Sequence, residues 1–175
     1  MKKIITVSLS LMLCSSSLWA AMSEKSKSEA EITNTVMTIN TGEITLAKLA
    51  QKKATNPKVK EFANQMLNDH TKNNDHLHNL AGSENIAPKE TKTSMKLKTT
   101  SNQKSEELKK LEGNEFDKAY MTSQVEMHKN ALDKLNNELI PNAKDKDLRT
   151  TLDKTKTKIQ EHLKNAEEIR KTLFK

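Results

Sequence analysis

Four stretches of this chain carry apolar residues at helical spacing, and each stripe is broken near its middle by one polar side chain. In the first, Ile32, Val36, Ile39, Glu43, Leu46 and Ala50 recur at alternating steps of four and three, the pattern of a helix packed nearly parallel or antiparallel to its neighbours. The second runs Val59, Phe62, Ala63, Met66, His70, Leu77 and Leu80, with Asn73 and Asn74 continuing its polar interruption. The third is Met121, Val125, His128, Leu132, Leu135 and Leu139, and the fourth Leu148, Leu152, Thr155, Ile159, His162, Ala166, Ile169 and Leu173. Such faces must be buried against one another, so the pattern predicts an all-α bundle. Glu43, His70, His128 and His162 then occupy places where the period asks for apolar residues facing the core.

Local signals punctuate the stripes. Ser28 and Glu31 have the spacing of a capping box. Asn56-Pro57 predicts a cap and a first turn for the second helix, which Ala81-Gly82 closes, glycine suiting the left-handed position after a helix. Residues 83 to about 100 show no sustained period and read as a surface connection. A short helix is expected from about Ser101 to Leu111, with Gly113 closing it. The third long helix starts near Asn114 and stops at Ile140-Pro141, and the fourth starts near Asp145. The short links predict two antiparallel hairpins, and the long crossover between them, about 82–113, is the connectivity of ferritin-like four-helix bundles. Each polar interruption falls roughly 12–17 residues from its helix start, about 18–25 Å along the axis. Mid-helix positions line up in either direction, so all four share one level.

The amino terminus reads as a secretory signal over residues 1–20: Met1-Lys2-Lys3, an apolar run from Ile4 to Leu13, then small residues to Ala21. That run is too short to span a membrane, and no later stretch is apolar for long enough. Residues 21–30 form a flexible lead-in, and 31–175 the bundle domain. The only cysteine, Cys14, lies in the signal, and Leu13 stands where a small residue would precede a lipidated cysteine. The expected destination is the periplasm, with association to the envelope or outer membrane. The net charge of +7 drops to +5 once Lys2 and Lys3 leave. Lysines alternate with acids along helix faces, and export removes the nucleic-acid partner that a basic chain would otherwise invite.

A buried polar group without a partner costs roughly 1–3 kcal/mol, so four at one level must satisfy each other, a water or an ion. Three imidazoles and one carboxylate suit a single divalent transition metal such as zinc, iron or manganese. Asp69, Asn74, Gln124 and Glu161 lie beside the histidines or one turn away, as acceptors that could orient the rings. The alternatives are a metal-free network that sets helix register, a core that loosens when its histidines protonate, and a mononuclear metalloenzyme. No HExxH spacing is present. Met66, Met121 and Met127 read as core filler.

Three segments carry a resemblance: residues 42–70, from Gly-Glu-Ile-Thr-Leu-Ala to Asn-Gln-Met-Leu-Asn-Asp-His; Phe-Asp-Lys-Ala-Tyr-Met-Thr-Ser-Gln-Val-Glu-Met-His at 116–128; and Glu-His-Leu at 161–163. Together they resemble the bacterial "domain of unknown function 4142" family. The resemblance implies an exported, ferritin-like four-helix protein, often labelled an outer-membrane protein, with Glu43, His70, His128 and His162 as recurring polar positions and no established activity. It departs from di-iron ferritin-like proteins, whose sites use Glu-x-x-His pairs. Here Leu67 and Ile159 stand three residues before His70 and His162, so a two-iron ferroxidase centre is not expected.

Overall fold

The computed structural model describes residues 27–174. The expected signal segment and most of the lead-in lie outside the described residues. Within them the chain is all-helical, with five helices: α1 (Glu29–Lys53), α2 (Pro57–Ser83), α3 (Lys92–Lys109), α4 (Gly113–Lys134) and α5 (Lys146–Leu173).

The starts of the helices follow the sequence signals. Ser28 and Glu31 form the reciprocal capping box of α1, Asn56 caps α2 ahead of Pro57, and the Asp145 carboxylate accepts from the Leu148 N–H at the start of α5. The end of α2 differs from expectation. The helix passes through Gly82 to Ser83, and the left-handed residue is Asn85, with φ 53°. Asn tolerates that region because its short side chain bonds locally. Ahead of Pro141, α4 loosens into a π turn over Leu135–Leu139 and a 3-10 turn over Ile140–Asn142. Proline has no N–H to donate, and its ring crowds the carbonyl four residues back. The Ile140 N–H accordingly reaches back five residues to the Leu135 carbonyl.

Cross-helix pairs fix the directions. Gln51 meets Asn64 and Asn40 meets Asn74, so α1 and α2 run antiparallel. Gln65 meets Asn165 and His76 meets Thr151, which makes α2 and α5 antiparallel. The Glu43–Gln124 and Lys27–Glu138 pairs do the same for α1 and the α4 arm. The ends are tied across the bundle. The buried Asp117 carboxylate accepts from the Thr55 N–H and hydroxyl and from the Asn56 N–H, while Glu29 accepts from the Lys144 and Asp145 N–H groups.

The third helix departs most from the sequence reading. It covers eighteen residues rather than a short segment near 101–111, and it runs alongside α1 in the same direction, from Lys89–Ala30 at one end to Lys53–Lys109 at the other. The side chains it buries are Ser94, Ser101, Ser105 and Leu108, so its inner face carries little apolar signal. Small side chains let it approach closely. A Cβ built on Gly42 would sit 2.6 Å from Ser101 Oγ.

The core has two apolar halves. One is built around Leu46, Phe62, Met66, Phe116, Tyr120, Met121 and Ala166. The other is built around Ile32, Val36, Leu77, Leu135, Leu139, Leu148 and Ile159. Between them, every one of α1, α2, α4 and α5 contributes buried polar residues: Asn40 and Glu43, His70, Gln124 and His128, and His162. The predicted polar level exists and divides the core.

Candidate metal centre

His70, His128 and His162 come from α2, α4 and α5, and the stripe spacing that turns each inward places all three in that level. They are 4%, 1% and 1% exposed. Their ring centroids are 6.0 Å apart for His70–His128, 5.5 Å for His70–His162 and 5.4 Å for His128–His162. One nitrogen from each ring lies within 4.8 Å of the other two.

The other nitrogen of every ring is already held by an acceptor. His128 Nδ1 lies 2.8 Å from the Gln124 carbonyl oxygen. A carbonyl can only accept, so Nδ1 carries the hydrogen and Nε2 keeps its lone pair. His70 Nδ1 lies 2.9 Å from Asn40 Oδ1, and the Asn40 amide is oriented by donating its own hydrogen to Asn74 Oδ1 at 2.8 Å. His162 Nε2 lies 2.9 Å from Asp69 Oδ2. The remaining nitrogens, His70 Nε2, His128 Nε2 and His162 Nδ1, are buried and have no hydrogen-bond partner among the described residues. Each of the three neighbouring rings therefore keeps one buried nitrogen without a partner. This tautomer-fixing arrangement is how outer acceptors prepare imidazoles for a metal.

The electrostatics agree. Burial, reinforced by the neighbouring His128 and His162, holds His70 well below the usual histidine range. Burial likewise brings His162 down to about 4, against the opposing pull of Asp69. Both imidazoles stay neutral at physiological pH.

Glu43 is 2% exposed and lies behind His128, with its Oε1 at 3.8 Å from the Nδ1 side of that ring. Its other oxygen accepts from Gln124 Nε2 at 2.9 Å. Burial raises the Glu43 pKa, partly offset by His128 and Gln124. The same burial, with the charge of Glu43, pushes the phenol of Tyr120 well above its ordinary value. Helix α1 runs unbroken through Gly42 and Glu43, so Glu43 is a mid-helix residue and not a helix start.

Of the expected orienting residues, Asp69 binds His162 directly, and Gln124 serves His128 through its backbone and Glu43 through its side chain. Asn74 acts one step away, through Asn40. Glu161 is exposed and pairs with Lys158 at 2.6 Å, so the place expected for it beside His162 is taken by Asp69. Sequence reasoning missed Asn40. It stands four residues after Val36 and three before Glu43, a polar residue at the edge of the apolar stripe, and that spacing was the available signal.

A family model described as Domain of unknown function (DUF4142) matches residues 15–169. The chain belongs to the DUF4142 family. Neither the curated proteins nor the solved structures compared with it include a match. All three segments that resemble DUF4142 contain a histidine of the trio; residues 116–128 also carry Gln124, the acceptor of His128, and residues 42–70 carry Asp69, the acceptor of His162. In this DUF4142 member, three buried histidines from three helices can hold a metal ion.

Proposed function

We propose that this protein binds a single divalent transition-metal ion, zinc, iron or manganese, through His70 Nε2, His128 Nε2 and His162 Nδ1. The observation that carries the reading is that each of three neighbouring buried rings keeps one unpartnered nitrogen while an acceptor holds its other nitrogen, with one nitrogen per ring within 4.8 Å of the others. Left to themselves, three acceptors facing one another cost roughly 1–3 kcal/mol each. One water donates only two hydrogens and cannot serve all three. A cation serves all three at once: nitrogens that lie within 4.8 Å of one another would draw together to about 3.4 Å around a tetrahedral zinc bound at about 2.0–2.1 Å.

Charge balance supports a dication. Glu43 stands against His128 and Asp69 against His162. Two carboxylates one residue removed from the ion neutralise the level without entering its coordination shell. Three imidazoles also suit zinc and other first-row metals better than calcium or magnesium, which prefer oxygen.

The wider setting belongs to the same proposal. The signal-like amino terminus supports export to the periplasm with an envelope or stress-related role. The antiparallel pairing of α1 with α2 and α4, and of α2 with α5, supports a ferritin-like arrangement with α3 as a cover. The test is elemental analysis of the untagged protein, alongside His128→Ala and His162→Ala. A single metal ion per chain, lost in both variants, is expected. A wild-type chain that takes up no zinc, iron or manganese after reconstitution overturns the reading in favour of a metal-free polar level.

A further inference from the structure

We propose that the cleft between α2 and α5 leads to an open coordination position on the bound metal and admits a small oxygen- or nitrogen-donor anion. The inference rests on the three-histidine reading above. A cavity of about 200 Å³ opens between these helices, and its lining includes His70 and His162 but not His128. A molecule entering there meets the metal on the side of α2 and α5. Three protein nitrogens leave a tetrahedral ion one position short, and the two carboxylates beside the rings are engaged elsewhere, Asp69 by His162 Nε2 and Glu43 by Gln124 Nε2.

Size and charge define the ligand class. A water takes up about 30 Å³ in the liquid, so the cavity has room for a few waters or a molecule of a few heavy atoms, the size of azide, formate or hydroperoxide. The cavity wall carries Lys154, Lys158 and Asp69; Lys158 is paired with Glu161 at 2.6 Å, and Asp69 is engaged by His162. The remaining polar groups are occupied: the Thr155 hydroxyl bonds Asn73 and the Thr151 carbonyl, and His76 bonds the Thr151 hydroxyl. Lys154 has no ion pair among the described residues, and beside the bound ion it favours a small anion over a cation.

The second cleft near this level carries charges of both signs, Glu43 and Glu126 with Lys104 and Lys134, and no histidine. It lies between α1, α3 and α4, measures about 120 Å³, and is lined by Ile39, Leu97 and Met127, with Glu43 among its walls. An anion entering there meets a carboxylate before it meets a histidine. Lys104 lies in that cleft and provides the control.

The test uses the untagged protein loaded with Co²⁺, whose visible absorption reports its coordination, titrated with sodium azide at low ionic strength. Azide is expected to shift the spectrum saturably. Lys154→Glu weakens azide binding by about fivefold or more and leaves the azide-free Co²⁺ spectrum in place, while Lys104→Glu leaves azide affinity at the wild-type level. A Co²⁺ spectrum that ignores azide overturns the open position and leaves the three-histidine site standing. Failure of Co²⁺ to bind overturns both. Azide binding that is insensitive to Lys154→Glu, or that responds to Lys104→Glu instead, overturns the α2–α5 route.

Discussion

Asp69 Oδ2 lies 2.9 Å from His162 Nε2, and this contact turns His162 the opposite way from its two partners: it faces them with Nδ1, where His70 and His128 present Nε2. The carboxylate sets both the tautomer and the direction of the lone pair. Asp69→Ala should therefore weaken zinc binding by about 10–100-fold while the fold survives, because Asp69 stands at the rim of the level. Competition against a chelator of known affinity measures the loss. Asp69→Asn, which keeps an acceptor oxygen, should lose less.

Acidification should destabilise the metal-free protein. A histidine whose folded pKa lies below its unfolded value takes its proton first in the unfolded chain. The stability it contributes is therefore complete above about pH 6.5 and is lost as the pH falls toward about 4, the value to which burial brings His162. For His162 alone that range is worth on the order of 3 kcal/mol, and His70, also lowered, adds in the same direction. Glu43 has the opposite sign, since its raised pKa favours the folded state as it protonates. Urea unfolding with chelator present at a series of pH values between 7.5 and 4 gives the slope, and His162→Gln should flatten it.

Glu43→Gln separates the two roles of the acid. Without metal, it removes a carboxylate that burial disfavours, so the melting temperature at pH 8 should rise or hold. With metal, it removes one of the two charges that balance the ion, and affinity should fall by about tenfold or more. A variant that changes both states in the same direction would refute the charge-balance argument.

The contact of Gly42 with Ser101 predicts a packing defect. Gly42→Val puts atoms where a Cβ would already sit 2.6 Å from Ser101 Oγ, and overpacking of this kind costs roughly 1–3 kcal/mol. Chemical denaturation measures it. Adding Ser101→Gly should recover part of the loss, which would tie the cost to the α1–α3 approach and not to helix propensity.

Much of this was legible from the residue order. The period of the stripes marks α1, α2, α4 and α5, because an inward face repeats every three or four residues whatever it packs against. Ser28, Asn56-Pro57 and Asp145 mark helix starts, because capping is local chemistry within one turn. Only the second half of helix α3 was legible, because its buried face is serine apart from Leu108. A helix held by close approach of small side chains leaves no apolar period to read.

The sequence by itself determined that Glu43, His70, His128 and His162 interrupt their stripes at mid-helix and therefore share one level of the core. Only the tertiary structure decided which atoms meet there. Glu161 adjoins His162 in sequence, yet successive residues on a helix point about 100° apart, so Glu161 faces solvent while Asp69 reaches His162 from another helix. The same is true of Asn40 and His70. Hydrogen-bond partners across helices choose the free nitrogen of His70 and His162, and with His128 that leaves three buried nitrogens without partners in one level.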